Sequence, residues 1–206
     1  TPGFFVSFTY AAYTANQVNA NIHVGNNKVL YAGGLAACCP TVMGVTAYCY
    51  TGYTWEYRNI QITGNSVTNV GAAYTNGTLF TGTAQPMLVS LAVQGTGGAG
   101  MATIQHVNIS NNIVSNLDST NGTFSAVLLY IDAQNCSIKN LNISGNNIRT
   151  VGSTQVGIRV AKSAGTMDCV SVLANQISTN TDGNQWVIVN QTPTQLELAA
   201  NALFVQ

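Results

Sequence analysis

Six carboxylates, Glu56, Asp118, Asp132, Asp168, Asp182 and Glu197, are all the side-chain acid that this 206-residue chain offers for proton transfer or nucleophilic attack. Glycoside hydrolysis ordinarily takes two, about 5 to 5.5 Å apart for retention of configuration and about 6.5 to 9.5 Å apart for inversion. Asp118 and Asp182 are the candidate pair. Asp118 lies six residues after Asn112 and Asp182 seven after Asn175, and those asparagines hold equivalent places in a repeated pattern. If the repeats stack as strands, two steps separate the pair by about 9.6 Å, the outer edge of the inverting window. Gly152 and Ser153, at the intervening step, would leave room for a sugar ring. Turn chemistry alone would also place aspartates in DST and TDG.

A second kind of chemistry is suggested by YCYTGYTWEYRNIQI, the aromatic concentration of the chain. If the strand through Ile60 and Ile62 runs back without interruption, Tyr53, Trp55 and Tyr57 share the outward side with Asn59 and Gln61. Flat rings beside amides are suited to sugars, which stack by their C–H faces and hydrogen-bond by their hydroxyls. The same rings are suited to packing against another subunit or against the aromatic segment FFVSFTYAAY. That register would bury Glu56 and Arg58, which requires that they pair with each other or that the alternation break at a bulge.

The remaining reactive residues carry less. His23 and His106 each precede an inward apolar residue, Val24 and Val107, and read as outward surface groups rather than bases. Asp132 ends one apolar run while Arg159 and Lys162 lie on the next, an arrangement for an ion pair between repeats. Cys38, Cys39, Cys49, Cys136 and Cys169 are odd in number and fit no zinc spacing, so they read as small buried apolar side chains. No metal or cofactor is expected. Six Asn-x-Ser/Thr sequons, at Asn76, Asn108, Asn121, Asn135, Asn142 and Asn190, are no more than chance supplies in a chain this rich in Asn and Thr.

Only 6% of the residues are charged and the formal net charge is zero, so the electrostatic footprint of a nucleic-acid or anionic-membrane partner is missing. Apolar runs are interrupted by Asn, Thr, Gly and Ser well short of the 18 or so residues of a membrane span, and no membrane insertion is expected. Polarity comes from amides and hydroxyls, which points to an extracellular or particle-surface setting.

The elements that must position these groups are visible as an internal repeat. LNISGNNI, NIHVGNNKV, NIQITGNSV, HVNISNNIV, CVSVLANQI and QLELAANAL share the order apolar, x, apolar, x, x, Asn, x, apolar, giving six copies. Their asparagines, Asn27, Asn65, Asn112, Asn146, Asn175 and Asn201, are separated by 38, 47, 34, 29 and 26 residues. A fixed corner with variable intervals predicts one structural rung per repeat, with insertions leaving as loops. Period-2 alternation on both sides of the corner predicts strands. CPTVMGVTAYCY, QPMLVSLAVQ, FSAVLLYID, QVGIRVAK and QWVIVNQ supply a further strand in most repeats. One repeat cannot bury its own apolar face; stacked at about 4.8 Å, six form a continuous core about 29 Å long. Asparagine suits the corner because it tolerates a left-handed backbone and because its amide both donates to and accepts from the next asparagine in a ladder.

These apolar-x-apolar-x-x-Asn rungs resemble the right-handed parallel β-helix of the pectate-lyase-like superfamily over about residues 18–206, with residues 1–17 an aromatic segment that packs on or caps the solenoid. The resemblance implies an all-β solenoid of about six rungs. The superfamily includes polysaccharide lyases and hydrolases, adhesins and the tailspikes of bacterial viruses, and the uncharged texture is most similar to a tailspike or tail-fibre segment. Its lyases use calcium-binding acidic clusters and a basic proton acceptor; no such cluster occurs here, so no residue carries that role over. The likeness to tailspikes implies host-surface polysaccharide recognition by a homotrimer or by part of a longer particle protein. A polysaccharide depolymerase using Asp118 and Asp182, or a structural surface protein or adhesin, is the alternative.

Overall fold

The computed structural model describes residues 6–10, 17–29, 41–49, 54–70, 74–75, 78–79, 87–95, 101–117, 125–132, 136–150, 156–162, 166–179, 187–190, 196–199 and 202–205. They form an all-β architecture whose three large sheets are parallel, and stacked asparagine hydrogen bonds run through it. Both features fit a parallel β-helix.

The first sheet runs through Val6–Tyr10, Thr41–Cys49, Met87–Gly95, Ser125–Asp132, Val156–Lys162 and Val187–Asn190, in that spatial order. The second runs through Gln17–Ala20, Thr54–Thr63, Met101–Ser110, Cys136–Ser144, Thr166–Leu173 and Leu196–Ala199, with His23–Gly25 also pairing with Thr54–Thr63. The third joins Lys28–Val29, Ser66–Val70, Ile113–Leu117, Asn147–Thr150, Gln176–Thr179 and Ala202–Val205. The chain visits the sheets in the same cycle each time, so every strand pairs with its counterpart one repeat away. A small antiparallel hairpin, Tyr74–Thr75 with Thr78–Leu79, stands apart.

Register turns the sequence repeat into columns. Ile60, Val107, Leu141, Val170 and Leu196 are successive partners, as are Val24, Ile62, Ile109, Ile143, Val172 and Leu198. In the third sheet Val29, Val67, Val114, Ile148, Ile177 and Leu203 align. Ile60, Ile62, Ile109, Ile143 and Ile148 are fully buried, each worth about 1.5 to 3 kcal/mol of apolar burial. β-Branched residues dominate because their stiff side chains pack on a pleated surface.

A further buried column changes the expected alternation. Tyr57, Ile104, Ile138 and Met167 align and are buried, three residues before Ile60, Val107, Leu141 and Val170. Two side chains three apart reach the same side because the residue preceding the later one is left-handed: Asn59, His106, Asn140 and Cys169, with Asn21 in the first repeat, have φ between 52° and 60°. The strand bends there in each of these five repeats, and the parity of what lies upstream is inverted.

At the corner the ladder asparagines are buried: Asn65, Asn112 and Asn175 at 0% exposure and Asn146 at 1%, with Asn27 half-buried. The Nδ2 of Asn27 donates to Oδ1 of Asn65 at 2.9 Å, Asn65 to Asn112 at 2.9 Å, Asn112 to Asn146 at 3.0 Å and Asn146 to Asn175 at 2.9 Å. Each Oδ1 also accepts the main-chain N–H of the preceding asparagine, at 3.0 to 3.1 Å. From Asn65 onward, Nδ2 also donates to a carbonyl of the repeat before, Val24, Ile62, Ile109 and Ile143 in turn. Asn201 lies outside the described residues.

One expectation is corrected. The left-handed residue of the corner is the one before the ladder asparagine: Asn26 (φ 58°), Gly64 (68°), Asn111 (57°), Gly145 (64°) and Ala174 (52°). The ladder residue itself is free to turn its amide inward. Asn and Gly alternate in this column for a steric reason, since a Cβ on Gly64 would stand 2.7 Å from Oδ1 of Asn26, and one on Gly145 2.7 Å from Oδ1 of Asn111.

Asn112→Ala removes the acceptor of the Asn65 main-chain N–H and of one Asn65 amide hydrogen, while the Oδ1 of Asn146 keeps the main-chain N–H of residue 112. At about 1 to 3 kcal/mol per buried orphan, it is expected to lose at least about 2 kcal/mol. Asn27→Ala, at the half-buried end, is expected to lose less; equal losses in urea denaturation would refute a cooperative ladder. Gly145→Ala should cost about 1 to 2 kcal/mol for its left-handed Cβ, plus the contact with Asn111. A double-mutant cycle with Asn111→Gly should recover the contact portion, and zero coupling would show that the two residues do not meet.

Candidate functional site

The outward side of the second sheet is built by the same register that builds the core. Between the two buried columns lies the line His23, Gln61, Asn108, Asn142, Ser171 and Glu197. Its members are tied together: Asn142 Nδ2 donates to Asn108 Oδ1 at 2.8 Å, Asn108 Nδ2 lies 3.5 Å from Gln61 Oε1, and Ser171 Oγ lies 3.5 Å from Glu197 Oε2. Asn108 and Asn142 also donate to Ser110 Oγ at 3.0 Å and Ser144 Oγ at 2.9 Å within their own strands. On the other side of the bend lie the lines Glu56, Thr103, Ser137, Thr166 and Arg58, Gln105, Lys139, Asp168. Ser137 Oγ donates to Thr103 Oγ1 at 3.3 Å. The face is therefore a grid of hydroxyls and amides with Glu56, Arg58, Lys139, Asp168 and Glu197 set among them, spaced by about 4.8 Å along the stack.

At the bend the grid opens into a depression of about 250 Å³ lined by Asn21, Ile22, His23, Asn59 and Gln61. Asn59 Nδ2 donates to Asn21 Oδ1 at 3.1 Å, joining the two left-handed residues. His23 Nε2 lies 3.2 Å from Thr63 Oγ1. A Cβ on Gly25 would collide with the His23 ring, so the missing side chain at 25 is what lets the imidazole lie against the strand.

For Tyr57 the aromatic expectation is corrected here. Tyr57 is 1% exposed, in register with Ile104, and its ring is not available to stack on a sugar. The left-handed bend at Asn59 is the reason, because it turns Tyr57 inward together with Ile60. Asn59 and Gln61 are outward as expected. The backbone of Trp55 lies in Thr54–Thr63, but its side chain, and Tyr53 altogether, lie outside the described residues. Asp118 and Asp182 also lie outside them, as do Gly152 and Ser153. The strands that end just before the two aspartates, Ile113–Leu117 and Gln176–Thr179, are separated in the third sheet by Asn147–Thr150 alone. His23 and His106 are exposed. In the first sheet Lys162 pairs with Ile131 and Arg159 with Leu128, so neither base is the register partner of Asp132.

Glu56 and Arg58 combine both resolutions expected for them: the parity breaks, leaving Arg58 exposed and Glu56 half-buried, and the two form an ion pair. Gln105 Nε2 also donates to Glu56. The hydrogen bond from Arg58 holds the Glu56 carboxyl below the usual glutamate range, and the same bond raises Arg58. A carboxyl held ionised in this way is unsuited to general acid work at neutral pH. Among the described residues no three His, Cys, Asp or Glu side chains cluster to hold a metal ion. Asn108 and Asn142 stand out only in the structure; in the sequence they are two sequons among six, and their sign is the recurring NIS, which places amide and hydroxyl two apart on one side of a strand.

Because the folded carboxyl of Glu56 is depressed, its contribution to stability is present above the unfolded glutamate value of about 4.3 and disappears as pH falls through the lower folded value. Glu56→Gln should therefore lower the melting temperature slightly at pH 7 and not at strong acid, with less effect in high salt because the pair is partly exposed. A difference that persists or grows in acid would show that the ion pair is not its source.

Compared with protein-family models, curated proteins and solved structures, the chain finds no match.

Proposed function

We propose that this chain is a right-handed parallel β-helix of about six rungs that serves as a tailspike or tail-fibre segment at a virion surface and recognises neutral carbohydrate on the host. The observation that carries the reading is the outward side of the second sheet, where Gln61, Asn108 and Asn142 form a tied column of amides flanked by hydroxyls. Sugar recognition needs pre-placed donors and acceptors more than it needs charge, and rigid backbones reduce the ordering cost of binding. The amide recurs over the three steps Gln61, Asn108 and Asn142, so a polymer lying on the face meets several weak contacts at once and gains by multivalency.

The test is incubation of the protein with purified neutral surface polysaccharides, measuring retention of the polymer and release of reducing or unsaturated ends. Retention without release is expected, and it should fall at least about tenfold when Asn108→Lys and Asn142→Lys are combined, a change that replaces the amide column by like charges. No retention of any neutral polysaccharide, or retention unaffected by the double variant, would overturn the reading. Release of ends that is lost in Asp118→Asn or Asp182→Asn would replace it by a depolymerase.

A further inference from the structure

We infer that the depression between Asn21, Ile22, His23, Asn59 and Gln61 is a subsite for one uncharged sugar ring; the inference rests on the carbohydrate reading above and locates its anchoring contact. The volume of about 250 Å³ lies below the range of about 300 to 1,000 Å³ typical of pockets for drug-sized ligands, and suits a single ring. None of the five lining residues is an acid, a lysine or an arginine. The nearest such pair in the strand, Glu56 and Arg58, is already engaged with itself.

The lining groups are oriented with capacity to spare. The main chain is fixed on both sides of the bend, Asn21 N donating to Arg58 O at 3.0 Å and Gln61 N to Ile22 O at 2.8 Å. Asn59 uses one amide hydrogen on Asn21, which leaves the Asn59 Oδ1 as an acceptor and both Nδ2 hydrogens of Asn21 as donors. Gln61 receives Asn108 on its Oε1, so its Nε2 hydrogens are also available. His23 is set by Gly25 and Thr63 through the Nε2 edge of its ring, which leaves Nδ1 to serve a ligand as donor or acceptor. Vicinal sugar hydroxyls, each both donor and acceptor, match this mixture, and the half-buried Ile22 offers an apolar patch for the C–H face of the ring. The left-handed backbones of Asn21 and Asn59 are the feature that sets their amides side by side at this point.

The experiment uses the full chain and a panel of probes: glucose, galactose, mannose, N-acetylglucosamine and N-acetylgalactosamine with their neutral oligomers, and glucuronic and sialic acid for comparison. Binding is read by side-chain amide NMR shifts of the unmodified protein and by titration of variants. Shifts of the Asn21, Asn59 and Gln61 amide protons with a neutral probe are expected. Asn59→Ala and Gln61→Ala should each weaken that binding about tenfold, Gln61→Ala without lowering the melting temperature and Asn59→Ala with a small loss because alanine tolerates the left-handed backbone less well; Gly25→Ala should weaken it by displacing His23, and Arg149→Gln on the third sheet should leave it unchanged. If neutral glycans bind while those amides do not shift and Asn59→Ala and Gln61→Ala bind normally, the subsite is wrong and the broader reading stands. If no neutral probe or polysaccharide binds, both fall. Preference for glucuronic or sialic acid would overturn the neutral class.

Discussion

One amide per repeat sets the geometry of everything else. The Oδ1 of each interior ladder asparagine accepts both the main-chain and the side-chain N–H of the asparagine before it, and its own amide spans forward to the next and back to a carbonyl. A residue bound in four directions cannot slip by one position without losing all four bonds, so the columns of the second and third sheets, which meet at this corner, are held in step. The intervals between ladder residues vary from 26 to 47 without disturbing that step. Length is added outside the stretch that runs from the Tyr57 column to the corner, where the offsets are the same in successive repeats.

Much of the architecture was legible because it depends on identities at fixed offsets. The apolar-x-apolar pair and the asparagine three residues beyond it mark the second sheet and the corner in each copy, and the runs such as FSAVLLYID mark the first sheet. What alternation alone hides is a change of backbone hand. Asn59 and Asn140 are ordinary as letters, yet each reverses the parity of its strand and sends Tyr57 and Ile138 inward. A trace did exist: Tyr57 and Ile60, Ile104 and Val107, Ile138 and Leu141, Met167 and Val170 all stand three apart, a spacing that uninterrupted alternation forbids. The outward face was less legible still, because Asn108 and Asn142 acquire meaning only when register sets them beside each other.

The low charge of the chain follows from stacking. Aligned parallel strands set like positions about 4.8 Å apart, and two like charges at that distance repel by about 0.9 kcal/mol even in water. In the described pairings no like charges are register neighbours; Arg58 and Lys139 are separated by Gln105, and Lys139 meets Asp168. Amides and hydroxyls avoid the repulsion and gain bonds to their own kind, so the demand that keeps the stack intact favours neutral hydrogen bonds wherever a charge lacks an opposite one beside it, as Glu56 has in Arg58.

The alternation of Asn and Gly beside the ladder has an evolutionary consequence. Asn26 and Asn111 each lean over the glycine of the following repeat, so those repeats come in unlike couples, a cover and a seat. Losing the Gly64 repeat would set the Asn26 cover against Asn111, whereas losing a cover only brings two seats together. The constraint on growth at this corner is therefore directional, since a cover must be followed by a seat while a seat may be followed by either.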